Sequence, residues 1–142
     1  GAYTGNELVT VMAGGNDIFM NAGAVGMAAG GGATAVGAAI AAGWSTTVQG
    51  AVAAGGAAAV NAAATAAVQG MGQAGAELAL LVRNQVLGKG ARFVVVVNLP
   101  DVSQTPYALS QSAETRALIN NMVTTFNAQL AAGLSGSPAL LV

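Results

Sequence analysis

Phe93-Val94-Val95-Val96-Val97 is the stretch on which the fold turns. Valine loses side-chain freedom in a helix and packs well on a pleated surface, so this run predicts a strand. No polar residue alternates with the apolar ones. That pattern predicts a central strand of a parallel sheet, covered on both faces. The run ends in Asn98-Leu99-Pro100-Asp101 and a loop through Val102 to Pro106. The loop follows the strand's carboxyl end, so Asn98 and Pro100 are candidate substrate-binding residues; a Pro-braced surface turn is the plainer reading.

Downstream, Ser112 to Leu134 reads as an amphipathic helix. Ala117, Leu118, Met122, Val123, Phe126 and Leu130 recur at helical spacing, and Gly133 and Gly136 close the segment. Leu140-Leu141-Val142 reads as the opening of a third strand. Upstream, Ala76 to Leu87 predicts a helix with an apolar stripe of Leu78, Leu81, Val82 and Val86. Gly88 and Gly90 stop it, and Lys89 lies at the negative end of the helix dipole. Near the start, Leu8-Val9-Thr10-Val11-Met12 predicts a buried strand ended by Ala13-Gly14-Gly15-Asn16-Asp17. Asp17 is placed to cap a helix beginning at Ile18.

Between these flanks, residues 23–72 form a low-complexity Ala/Gly-rich insertion. Alanine favours helix, whereas each glycine costs about 1 kcal/mol in one, and Gly23 to Gly43 therefore receives no assignment. Ser45-Thr46-Thr47 offers a fresh N-cap. A long small-residue helix is expected from there, with Val48, Val52, Val60 and Val68 near one face. The order is strand, helices, strand, helix, strand: half of a doubly wound α/β sheet in one partial domain over 1–142.

Composition limits function. Of 142 residues, four are Lys or Arg and five Asp or Glu, with no charge between Asp17 and Glu77. Nothing resembles a basic nucleic-acid patch or a polybasic membrane anchor. Ala22 to Trp44 is nearly free of polar side chains, but it offers only Val25, Val36 and Ile40 among the residues that drive insertion, so no membrane span is expected. The chain has no cysteine and no histidine, which excludes disulfides, His- or Cys-ligated metal sites and a self-contained Ser-His-Asp catalyst. Gly1 stands where a methionine would begin a chain, and we expect a processed or internal piece of a longer protein.

Gly14-Gly15-Asn16-Asp17 lies at the carboxyl end of the first strand, where open α/β sheets bind ligands. Read alone, it is a glycine turn with a helix cap. The segment Leu8 to Phe19, LVTVMAGGNDIF, resembles the Gly-x-Asn-Asp block of SGNH/GDSL hydrolases. FVVVVNLPDVSQTP, Phe93 to Pro106, resembles the next strand and loop of secreted bacterial members, and RALINNMVTTFNAQL, Arg116 to Leu130, the helix before the family's last strand. The insertion lies outside the resemblance.

The resemblance implies a flavodoxin-like, three-layer parallel sheet, secretion, and a carboxylic-ester hydrolase acting on an ester or lipid without a cofactor. It implies that Asn16 lends its side-chain amide to the oxyanion hole and that Gly14 permits the motif turn. Losing one such donor costs about 3–4 kcal/mol in other enzymes. Asp17 is read as scaffold. The family's nucleophile block, its block II glycine and its Asp-x-x-His block are missing from these residues, and Ser103 and Ser110 lack a histidine base. The chain alone is therefore expected to be inactive.

Two other readings stand beside this one. A sheet edge, a Val-rich strand and low charge favour self-association, up to a fibre core in which Asn16 has no catalytic part. Gly70-Met71-Gly72-Gln73-Ala74-Gly75 is a formal G-x-G-x-x-G, the pattern of a dinucleotide-binding module, although the residues before it read as helix and the next strand ends in Asn98 where the ribose-binding acid should stand.

Overall fold

The computed structural model describes all 142 residues. Its sheet has three parallel strands: β1 (Leu8–Val11), β2 (Phe93–Val96) and β3 (Leu140–Leu141), in the order β1-β2-β3. Leu8 sits opposite Phe93, Val11 opposite Val96, and Val95 opposite Leu140. The ladder runs on past the strands, with the Val97 N–H donating to Val11 O at 2.8 Å and the Val142 N–H to Val96 O at 2.9 Å. The chain is thus α/β with a parallel sheet, and the valine run is its central strand.

The expectation that β2 is covered on both faces does not hold. Val94 and Val96 are buried, yet Phe93 is 57% exposed. Leu8 at 67% and Leu140 at 59% flank it on the same open face. Topology gives the reason. Each crossover advances one strand in the same direction, and right-handed crossovers of that kind all put their helices on one face. A second helical layer needs the strand order to reverse, which does not happen in these 142 residues. One helical layer lies on one sheet, so two layers replace the expected three.

The Ala/Gly tract is helical. It comprises α1 (Gly15–Ala28), α2 (Gly32–Ala41), α3 (Thr46–Ala53) and the start of α4 (Gly56–Leu81). Ser45 caps α3, its hydroxyl accepting from the Val48 N–H at 3.3 Å. The single long helix expected from Ser45 is interrupted at Gly55 and Gly56. Gly31 and Gly55 both have positive φ, and their backbones cross so closely that a Cβ on Gly31 would sit 2.8 Å from Gly55 N. The Gly56 N–H then donates to Ala29 O at 2.9 Å. Only glycine allows both the dihedral and the approach. Alanines fill the contacts between these helices; Ala28, Ala35, Ala39, Ala59, Ala63 and Ala67 are almost inaccessible.

α4 passes into a wider π turn (Val82–Val86) and a 3₁₀ turn (Leu87–Lys89), and Gly90 closes it in a left-handed conformation. The predicted stripe is only partly right: Val82 is buried and Leu78 half-buried, but Leu81 is 57% exposed. A short α5 (Pro106–Leu109) and the long α6 (Ala113–Leu134) follow. Ser112 caps α6 by accepting from the Thr115 N–H. Its inner face is Leu118, Ile119, Met122, Val123, Phe126, Leu130 and Leu134; the predicted Ala117 faces out, and Ile119 takes its place. Arg83 ties the end of α6 to α4, donating from Nε to Gly133 O and from Nη2 to Ser135 O. The buried apolar residues form one core that joins the Ala/Gly helices to α6 and the sheet. No helix is long and apolar enough to cross a membrane.

Candidate functional site at the carboxyl edge of the sheet

The loops after β1 and β2 leave the sheet side by side, because their parent strands are paired in register. Gly14 makes the first turn with φ 112, and a Cβ there would lie 2.8 Å from Phe126 Cζ and 3.3 Å from Leu99 Cδ1. Any side chain would meet both strain and a clash. Gly14 itself caps α1 and contributes no side-chain hydrogen bond. Asp17 is therefore not the cap predicted from sequence. The helix begins three residues sooner than expected, and Asp17 lies within its first turn, where its charge suits the dipole.

Asn16 sits in that first turn, exposed, and its amide has no hydrogen-bond partner in the chain. Asn98, one residue beyond the β2 ladder, donates its N–H to Val142 O at 2.7 Å. Its side-chain Oδ1 is shielded from solvent and meets no donor. Pro100 is exposed, and its carbonyl accepts from the Val102 N–H at 2.8 Å. Gly14 and Leu99 are thus brought together at one edge, with Asn16 on one side and the Asn98–Pro100 turn on the other. No principal cleft of the molecule is lined by Asn16, Asn98 or Pro100.

Three pairings at or near this edge escape sequence reasoning. Asn127 of α6 holds Leu99 from both sides: its Oδ1 accepts the Leu99 N–H at 2.9 Å, and its Nδ2 donates to Leu99 O at 3.0 Å. Phe19 and Tyr107 meet edge to face with ring centroids 5.4 Å apart, which seats α5 on α1. Trp44 Nε1 donates to Asn21 Oδ1 at 2.8 Å, both residues being buried, and Asn21 Nδ2 donates to Asp17 O at 2.7 Å. The only signal for the last pairing was a lone tryptophan in an apolar tract.

The serines behave as local fasteners. Ser103 is buried and its hydroxyl donates to the Asp101 carboxylate; that of Ser110 donates to Tyr107 O at 2.6 Å. A polar cleft of about 360 Å³ lies on the other side of Asp17, between α1, the α2–α3 turn and α4; Asn21, Trp44, Gln73 and Glu77 line it. The G-x-G-x-x-G residues fall inside α4, with helix before and after. They form no strand-to-helix turn and offer no free helix N-terminus to a pyrophosphate. Gly72 and Gly75 instead pack against Thr125 and Phe126 of α6.

The one strongly shifted acid lies at the opposite edge. Glu7, at the amino end of β1, is lowered to about 2, chiefly because the Thr4 N–H and hydroxyl donate to its carboxylate, helped by the Gly5 N–H. Compared with protein-family models, with curated proteins and with solved structures, the chain finds no match.

Proposed function

We propose that these residues are part of a secreted SGNH/GDSL-type carboxylic-ester hydrolase with a flavodoxin-like sheet. The observation that carries this reading is the Gly14 turn. It stands at the carboxyl edge of a parallel sheet and leaves the Asn16 amide exposed and without a partner. When a serine attacks an ester carbonyl, negative charge develops on the carbonyl oxygen. A preorganised N–H donor aimed at that oxygen lowers the barrier, and Asn16 Nδ2 is the donor assigned here. The Gly14 contacts with Phe126 and Leu99 hold the turn in place. Asn98 and Pro100 border the same edge and would meet the substrate. The serine nucleophile and its histidine base must come from beyond these 142 residues, since the chain contains no histidine.

The test begins with an intact mass and terminal peptide sequences of the protein as its source makes it. A longer product carrying a Gly-Asp-Ser-type block and an Asp-x-x-His block is expected to hydrolyse simple aryl esters. Asn16→Ala in that product should lower kcat by about 10²–10³, with thermal stability little changed because the exposed side chain has no hydrogen bond to lose. A product of 13.6 kDa, or an Asn16→Ala variant of full activity, would sink the proposal.

A further inference from the structure

From its open sheet face, we infer that the 142-residue chain forms a two-fold dimer by packing that face against the same face of a second copy. The inference is independent of the ester-hydrolase reading. Strand alternation puts Leu8, Met12, Phe93, Leu140 and Val142 on this face, each between 56% and 67% exposed, around the half-buried Val95. Thr10 is the only polar side chain among them.

Area and charge both point to a second copy. Phe93 is the one aromatic among the five, and an aromatic side chain presents about 150–250 Å². At 56–67% exposure, it and the four smaller side chains each offer at most on the order of 100 Å². With the half-buried valines, one copy contributes about 600 Å², and a pair about 1,200 Å², the lower bound for a stable interface. Scattered exposed apolar residues need no explanation, but a contiguous patch of about 600 Å² stands at the top of the range for a monomer's largest patch, where such patches are often functional. A two-fold interface sets each residue near its own counterpart, so any charge on the face would meet a like charge. By strand register no position of this face is occupied by a charged side chain. Edge-to-edge growth is the poorer alternative, because β3 has only two residues to offer a partner strand.

The experiment is sedimentation equilibrium on the purified 142-residue chain, across concentrations from about 1 to 100 µM. We expect a monomer–dimer equilibrium, and Phe93→Lys or Leu140→Lys should weaken it at least about tenfold. Leu8→Thr keeps a strand-forming residue without adding charge, and should weaken it too while leaving the helical circular dichroism intact. Leu81→Glu, equally exposed but on the helical side, should leave the equilibrium unchanged. A chain monomeric throughout the range overturns the inference. So do fibres in place of a discrete dimer, and association lost with Leu81→Glu but kept in the sheet-face variants.

Discussion

Replacing Gly75 by alanine should destabilise the protein, although alanine is the better helix former. Gly75 lies in α4 where the helix crosses α6. A Cβ there would stand 3.1 Å from the Phe126 carbonyl carbon and 3.2 Å from its Cα, with the carbonyl oxygen nearer still. These are backbone atoms, which cannot rotate aside, so the two helices would have to separate. Overpacking costs about 1–3 kcal/mol, and against backbone atoms the upper part of that range, about 2–3 kcal/mol, applies. The gain in helix propensity recovers about 1 kcal/mol. The net expectation is a loss of about 1–2 kcal/mol, or about 3–8 °C in Tm. Gly50→Ala is the matched control. It lies in α3 with nothing within 4 Å of its would-be Cβ, and should stabilise by about 0.5–1 kcal/mol. Urea unfolding followed by helical circular dichroism measures both. A neutral or stabilising Gly75→Ala would show that α4 and α6 do not meet at this point. A destabilising Gly50→Ala would show that the Ala/Gly tract is not helical there.

Trp44→Phe removes the indole donor and leaves Asn21 Oδ1 buried without it, a loss of about 1–3 kcal/mol measurable by the same unfolding assay. An unchanged midpoint would mean that the bond does not form. Asn127→Ala frees both backbone groups of Leu99, so amide exchange should accelerate across residues 99–106 while the middle of α6 stays protected; uniform acceleration would assign Asn127 to the core instead. Glu7 should titrate with a midpoint of about 2 in side-chain NMR. Its folded value lies below the ordinary 4.5, so its contribution is present above about pH 4.5 and fades as pH falls through about 2. Thr4→Val should raise that midpoint, and a parent chain titrating near 4.5 would show that the Thr4 bonds are absent in solution.

The flanks were legible because their signals are local. A valine run, a glycine turn behind an apolar strand and a serine before a helical stripe each specify a backbone state within a few residues, and β1, β2 and α6 lie where those signals put them. The Ala/Gly tract was not legible by the same means. Alanine is apolar on every face, so periodicity has nothing to mark the buried side, and the breaks depend on tertiary approach. Gly31 and Gly55 matter because their backbones touch, a relation between residues far apart in sequence. G-x-G-x-x-G misled for a related reason. Glycine spacing reads the same whether the missing side chains make room for a phosphate or for a helix, and in α4 they make room for Phe126. At the candidate site the Gly14 turn was readable, but Asn127 was not. Its role comes from the register of α6 against the loop after β2, which no local pattern encodes.

The sheet order explains why Asn16 stands exposed rather than in a crevice. In open α/β sheets the ligand crevice forms where the strand order reverses, because the loops from neighbouring strands then diverge to opposite faces. Here the order advances β1-β2-β3 without reversal, and both loops turn toward the same helical layer. A strand added beyond β1 would create the reversal, and its connection would cross the face that now exposes Leu8, Phe93 and Leu140. The missing crevice and the open face therefore share one cause. That makes the two proposals separable. In a longer hydrolase the outer edge of β1 gains a partner strand, so all its amides should resist hydrogen exchange, and the sheet face should be closed within one molecule. In the 142-residue dimer the face closes between molecules, while the β1 amides that point away from β2 keep exchanging. Measuring β1 exchange at high and low concentration distinguishes the two: protection that depends on dilution belongs to association, and protection of the outer amides at every concentration belongs to an added strand.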